Sequence, residues 1–327
     1  MTTLAADCDL LVAAPNPALD SYYVVPELAA GAVQRATDVR HTAGGKGNNL
    51  ARAAVCLGGR VLSVGILGGG TGDRILRELA REGIAAVAVP GQAETRQCIT
   101  IVRQDGGENT VVLEAGTPLA VGEDEAFTGA VLRHAPQAAC LVLNGSLPPG
   151  MPRDAFGTLI ARLRWALPDL PLALDTSGEA LRLGAWAGPT LVKVNAEELT
   201  QAFGLEESWS VAAGQRVAAN LQARGVQLLI VTDGPRGACA FAAGGAIWQA
   251  QTPVTRWVSA AGAGDSFLAA LLLAQGRGAP LHEALAEASA AAAASLQHIV
   301  CGQIDLADYR VFLQSTRVEP LTQQVIS

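Results

Sequence analysis

The 327-residue sequence predicts an α/β protein with a mostly parallel central sheet, helices on both faces and a small β-sheet lid. Three observations lead there. Short runs rich in Val, Ile and Leu recur along the chain, and longer amphipathic stretches separate them. Two segments in the N-terminal third alternate instead with a period of two.

The apolar runs are Asp9–Ala14, Val61–Leu67, Ala139–Leu143, Leu172–Leu174, Leu191–Val194 and Leu228–Val231, and they read as buried strands. Helical spacing falls at Leu50–Leu57, Arg74–Glu82, Arg153–Trp165, Val211–Arg224 and Leu281–Leu296. Strands alternating with helices build βαβ units. The alternating segments Ser21–Val39 and Arg96–Leu113 predict accessory strands, the second with a Gly106-Gly107 turn suited to a hairpin. We therefore expect one domain over residues 1–327, with lid strands inserted at about 15–40 and 92–114. An apolar outer face on the lid, with Tyr22, Val24, Ile99 and Ile101 on it, would pair two copies as a homodimer.

Composition removes several classes of function. The chain is 50% hydrophobic and 16% charged, which excludes disorder as its main state. A net charge of −7 argues against nucleic-acid binding, which rests on basic patches. Six cysteines, with neither CxxC nor zinc-type spacing, read as reduced core thiols. The start MTTLAADCDLLVAAP lacks the basic region of a signal peptide, and no apolar run reaches the roughly 18 residues of a membrane span. The expectation is a cytoplasmic protein without membrane or nucleic-acid partners.

In a parallel sheet, ligands bind beyond the carboxyl ends of the strands, so chemistry is sought in the strand-to-helix turns. Neither GxGxxG nor GxxxxGK[ST] occurs, which disfavours a dinucleotide enzyme or a P-loop NTPase. Gly262-Ala263-Gly264-Asp265 has the arrangement of an anion hole. Its glycines let the backbone approach a ligand, and the helix expected to begin near Ser266 aims free N–H groups at the turn. Asp265 would accept a proton from an attacking hydroxyl. A helix N-terminus is expected to lower its pKa and make it a weak base, which phosphoryl transfer tolerates. The competing reading is that Asp265 or Ser266 only caps the helix.

Ala43-Gly-Gly-Lys-Gly-Asn-Asn49 is a second glycine-rich turn, opening the helix at Leu50. The chain has 21 arginines and two lysines, Lys46 and Lys193, both in turns of this kind or at strand ends. That usage suggests sites wanting a compact ammonium. Asp20 follows the first strand and suits hydroxyl binding, or else belongs to an ordinary turn. Arg96 begins a lid strand and either grips a phosphate or lies at the edge. In Lys193-Val-Asn-Ala-Glu-Glu198, Asn195 reads as a helix cap, and Glu198 could hold magnesium through water. Thr232-Asp-Gly-Pro-Arg-Gly237 is a further strand-end turn suited to polyphosphate.

These turns in this order resemble the ribokinase, or phosphofructokinase-B, family of sugar kinases over nearly the whole chain. Gly44–Asn49 resembles the first family signature and Gly262–Asp265 the second. Thr232–Gly237 and Asn195-Ala-Glu-Glu198 resemble its nucleotide turn and N-x-x-E motif. Asn16-Pro-Ala-Leu-Asp20, Glu94-Thr-Arg-Gln97, Asn144-Gly-Ser-Leu-Pro-Pro-Gly150 and Asp175-Thr-Ser-Gly-Glu-Ala-Leu181 are similar to the phosphosugar branch. The resemblance implies a ribokinase-like fold, with Asp265 as base and Gly262, Ala263 and Gly264 as anion hole. It places Asp20, Gly44, Gly45 and Asn49 on the sugar hydroxyls, Ser146 on the substrate side, and Arg96 with Lys46 on the phosphate already carried by the substrate. Lys193, Asn195, Thr232, Gly234, Gly237 and Gly264 would lie along ATP, with Glu198 near Mg2+.

The implied reaction is transfer of the γ-phosphoryl group of ATP to a phosphorylated ketohexose: fructose 1-phosphate, tagatose 6-phosphate or fructose 6-phosphate. The alternatives are a kinase of an unphosphorylated sugar or nucleoside, and a relative that binds without turnover. The chain departs from the family pattern at Ala260 or Ala261, where threonine is usual, and at Val194, Asn144 and Asp233.

Overall fold

The computed structural model describes residues 6–105, 109–205 and 209–321. In chain order its strands are β1 (Cys8–Ala13), β2 (Ala18–Val25), β3 (Asp38–Gly44), β4 (Val61–Leu67), β5 (Ala85–Pro90), β6 (Gln97–Arg103) and β7 (Thr110–Leu113). They continue with β8 (Ala138–Asn144), β9 (Leu172–Asp175), β10 (Leu191–Asn195), β11 (Leu228–Thr232), β12 (Ala238–Ala242), β13 (Ile247–Gln251) and β14 (Arg317–Pro320). The large sheet runs β14-β13-β12-β11-β10-β9-β8-β1-β4-β5. From β11 to β5 every pairing is parallel, and β12, β13 and β14 extend the β11 edge antiparallel.

All six apolar runs are strands of this sheet. Its β5 edge and the antiparallel extension were not marked by the sequence pattern, nor were the helices Glu123–His134, Gly178–Trp186 and Leu306–Ser315. β5 is alanine-rich, ends in proline and is only partly buried, so it lacks the Val/Ile signal of a central strand. Three helices begin earlier than expected: at Lys46 instead of Leu50, at Gly69 instead of Arg74 and at Ala263 instead of near Ser266. Their first turns hold glycine and asparagine, poor helix formers, and tertiary contacts override that preference. Asn48, for instance, donates to the Gly44 carbonyl at 2.9 Å and accepts from Ser63 Oγ at 3.1 Å.

The two-residue alternation divides the core. Leu11, Leu141, Leu143, Leu174 and Val192 pack on one face, and Leu10, Val12, Cys140, Val142, Ala173 and Leu191 on the other. Helix Ala263–Gly276, buried along most of its length, covers the second face beside helix Lys46–Cys56. At the carboxyl ends of the strands this face turns polar. Asn144 and Asp175 stand level on neighbouring strands, and Lys193 continues the row on β10.

The small sheet has the order β3-β2-β6-β7, with β2 and β6 parallel and the other pairs antiparallel. The expected outer face is corrected by its register. Ser21 pairs with Ile99 and Tyr23 with Ile101, so Tyr22 and Val24 point the opposite way. Both are buried, and the Tyr22 hydroxyl accepts from the Cys301 N–H at 3.1 Å. The Gly106-Gly107 turn lies outside the described residues. All six cysteines are free, five of them buried. Among the described residues no helix is long and apolar enough to cross a membrane.

Candidate active site

Helix Ala263–Gly276 starts from Gly262 at φ 78°, a left-handed conformation that favours glycine. A Cβ there would also come within 2.7 Å of Cys301 Cβ. Three residues on, Asp265 is buried, and Asn49 Nδ2 donates to its Oδ2 at 3.1 Å. The expected lowering of its pKa is reversed. Burial, then the neighbouring Asp175 charge, push the Asp265 carboxyl up to about 7, against the pull of Lys46, Lys193 and Asn49. A helix terminus contributes about 0.3–1 kcal/mol at an exposed site and up to about 2 when partly buried, whereas desolvation moves a fully buried carboxyl by as much as several pK units.

Asp175 is the hub of the site. Fully buried at the end of β9, it accepts from Lys46 Nζ at 3.1 Å through one oxygen and from Lys193 Nζ at 2.9 Å through the other. Burial alone would raise its pKa; the Lys193 and Lys46 ammonium groups outweigh it and hold the carboxyl below its ordinary range. The two lysines of the chain therefore share one carboxylate. Lys46 also meets Glu198 Oε1 at 3.3 Å, and Asp175, then Glu198, hold its ammonium well above the usual range. Gly264 lies over this pair, since a Cβ on it would come within 2.7 Å of Lys193 Nζ.

Beside the lysines lie two strand-end turns whose strands pair at Asn195 and Thr232. Asn195 is the cap its composition suggests: its side chain accepts from the Glu198 N–H at 2.7 Å, and Glu198 Oε2 accepts from the Asn195 N–H at 3.0 Å. Thr232 Oγ1 donates to the Val194 carbonyl at 3.3 Å. Gly234 and Gly237 take φ 51° and 87°.

On the other side, Gly44 leaves the room that Asp20 fills, because a Cβ there would fall 2.0 Å from the Asp20 carboxyl carbon. Burial pushes the Asp20 carboxyl up to about 6, against Arg52 and Arg96. Gly45 holds φ 85°. Arg96 donates to the carbonyls of Glu114 at 2.7 Å, Asn16 at 3.0 Å and Pro17 at 3.4 Å. Ser146 Oγ accepts from Asn16 Nδ2 at 3.1 Å, so Arg96 and Ser146 both hold the Asn16–Pro17 turn. Lys46, expected beside Arg96, instead faces Asp175 and Glu198.

Asp265, Asn49, Lys46, Lys193, Gly264 and Glu198 are thus brought together, and Asp20, Gly44, Arg96 and Ser146 line the neighbouring turns. Three residues were missed as site residues. Asp175 had a visible signal: it is a carboxylate closing a buried strand in a row with one of the two lysines. Asn144, beside it, is fully buried with neither carboxamide atom hydrogen-bonded. Arg52, one turn beyond Asn49 on the same helix, is buried as well. Among the described residues no three His, Cys, Asp or Glu side chains form a metal-ligand cluster.

A family model for the pfkB family carbohydrate kinases matches residues 16–306. The chain belongs to that family. Phosphofructokinase-2 from Escherichia coli, solved with potassium, superposes with a TM-score of 0.85 at 27% identity, covering 94% of this chain and 98% of its own. Its fructose-6-phosphate complex gives a TM-score of 0.83 at the same identity and coverage, and it has been solved as a tetrameric inhibited form. Ribokinase from Arabidopsis thaliana, solved with ribose and ATP, gives 0.69 at 22% identity over 94% of this chain and 99% of its own. The pfkB chain therefore has a ribokinase-like fold.

Proposed function

We propose that the protein is an ATP-dependent phosphosugar kinase that transfers the γ-phosphoryl group of ATP to a hydroxyl of a phosphorylated ketohexose, giving a bisphosphate. The candidates are fructose 1-phosphate, tagatose 6-phosphate and fructose 6-phosphate. The observation that carries the reading is Asp265: a carboxylate buried behind a left-handed glycine at a helix start, held through one oxygen by Asn49 and poised near neutral pH. A base of that pKa accepts a proton efficiently at physiological pH.

Asp265 takes the proton from the acceptor hydroxyl as that oxygen bonds to the γ-phosphorus and the bond to the ADP leaving oxygen breaks. The N–H groups at Gly262, Ala263 and Gly264 donate to charge gathering on the transferring phosphoryl group. Lys46 and Lys193, each donating to one oxygen of Asp175, face that charge from the sheet side. Asp20, Gly44, Gly45, Asn49 and Ser146 hold the sugar. Asn195, Thr232, Gly234 and Gly237 line the nucleotide.

Mg2+ favours oxygen ligands, keeps several waters and needs only one or two carboxylates beside phosphates, so Glu198 at the edge of the lysine pair fits it. Bound there, the ion would shield the polyphosphate charge. The small sheet would act as a lid that excludes water and, through its exposed apolar residues, as a homodimer surface.

Arg96 favours the phosphosugar through the two N–H groups that remain on Nη1 and Nη2 after its three carbonyl contacts. Those same contacts favour a second reading, an unphosphorylated sugar, in which Arg96 only holds its turn. A panel of sugars and sugar phosphates with ATP and Mg2+ separates the two. ADP released only with phosphosugars is the expected result, and no ADP with any acceptor refutes a kinase activity.

A further inference from the structure

Arg52 sits on helix Lys46–Cys56, one turn beyond Asn49, and is buried. Its guanidinium has five N–H donors and no acceptor. Nη1 donates to the Cys301 carbonyl at 2.6 Å and to Asn49 Oδ1 at 3.4 Å. Nη2 donates to the Ala43 carbonyl and to Glu82 Oε1, the latter at 3.0 Å. Four parts of the molecule thus meet at one side chain: the end of β3 in the small sheet, the loop at Cys301, Glu82 at the end of helix Gly69–Arg81 and the helix that carries Asn49 and Arg52 itself.

A carboxamide can face either way in a pocket, and only its neighbours decide. A donor-only group beside Asn49 turns the amide oxygen to itself and leaves the NH2 for Asp265. The Cys301 loop, meanwhile, packs directly on Asn49 and on Gly262. A Cβ on Gly302 would fall 2.1 Å from the Asn49 carbonyl, and a Cβ on Gly262 would meet Cys301.

We infer that Arg52 is a positioning residue of the transfer reaction: it fixes the Asn49 amide so that its NH2 faces Asp265, and it holds the Cys301–Gly302 loop beneath the anion-hole residue Gly262. The inference rests on the proposed role of Asp265 as base. Arg52 touches neither reactant and acts only through Asn49 and the loop.

The test is kinetic, on the full chain, with whichever acceptor the panel identifies. Arg52→Lys keeps a positive charge for Glu82, but one ammonium cannot reach all four acceptors. The expected result is a fall in kcat on the order of 10²-fold, as for a misplaced catalytic group, with KM for ATP nearly unchanged. The acid limb of kcat/KM should move to higher pH, because an Asn49 amide free to turn no longer donates constantly to Asp265. The other groups facing Asp265 are Asp175 from β9, Lys46 from the start of helix Lys46–Cys56, Lys193 from β10 and the Cys301 thiol, and of these only the thiol lies on the loop that Arg52 holds.

A purely structural Arg52 would lower Tm and leave the acid limb where it was; a folded variant behaving so overturns the inference. A second reading comes from the cycle with Asn49→Ala: the kcat losses should not add, and full additivity also overturns it. Should Arg52→Lys fail to fold, Arg52→Gln combined with Glu82→Gln removes both members of the buried ion pair, leaves no uncompensated charge and must show the same shift. Asp265→Asn separates the two levels. If it abolishes turnover while the Arg52 variants behave as wild type, only Arg52's role is lost; if it keeps full turnover, the base assignment itself fails.

Discussion

Lys193 Nζ stands 2.9 Å from Asp175 Oδ2, and both side chains are almost wholly buried. Lys46 completes the arrangement from the opposite side at 3.1 Å and also meets Glu198 Oε1 at 3.3 Å, so two carboxylates face the two ammonium groups. The Lys193 ammonium lies close under Gly264 of the Gly262–Gly264 turn. In the proposed reaction these ammonium groups, with the N–H groups of the turn, would meet a polyanion without an exposed basic patch, on a chain whose net charge is −7.

Gly264→Ala tests how closely that charge is placed. The new methyl would sit 2.7 Å from Lys193 Nζ, the end of a flexible side chain, so the fold should persist. Lys193 must then yield, and it is pinned by Asp175. Turnover is expected to fall about tenfold or more, with Tm within a few degrees of wild type. Steady-state kinetics beside a melting curve would check both, and unchanged turnover would separate Lys193 from the reaction.

Asp265→Asn should lose activity and gain stability at the same time. The loss is expected at about 10²–10⁴-fold, the usual contribution of a positioned base. The gain follows from linkage. The folded-state pKa is raised from an ordinary value near 3.8 to about 7, so across that window the native state retains a proton that the unfolded chain has released. Stability therefore falls as pH rises from about 4 to 7 on account of this group. Melting curves of the variant and wild type should lie furthest apart near pH 8 and converge toward pH 4. A gap that widens on acidification would contradict the burial argument.

Arg96→Ala distinguishes the two acceptor classes. KM for a phosphosugar is expected to rise at least tenfold, the scale of a lost charge-assisted hydrogen bond of about 1.5–3 kcal/mol. A neutral sugar would show little change in KM. Stability should drop in either case, because the Asn16, Pro17 and Glu114 carbonyls lose their donor. An unchanged KM for the phosphosugar would leave Arg96 with its structural task alone.

Val112→Asp probes the small sheet as an assembly surface. Val111, Val112 and Leu113 on β7 are exposed at 48%, 55% and 67%, and Val112 pairs with the exposed Ile99 of β6. A charge at that edge should shift sedimentation from dimer to monomer while melting stays near wild type. A wild-type chain that sediments as a monomer, or a dimer untouched by the substitution, would place any interface elsewhere.

Much of this protein could be read in one dimension. The Val/Ile/Leu runs marked the central strands because a strand buried on both faces admits little else. Gly44–Asn49, Asn195–Glu198, Thr232–Gly237 and Gly262–Asp265 marked the turns because glycine spacing and capping residues are local demands. Lys46 and Lys193 stood out through usage alone. Tertiary structure decided the rest. Asp175 became a hub only when β9 lay beside β10 and beneath the helix bearing Lys46, and Arg52 met Cys301 only across the closed fold. The rise of Asp265's pKa and the inward turn of Tyr22 have the same origin, since burial and strand register are sums over residues distant in the chain, which no local pattern encodes.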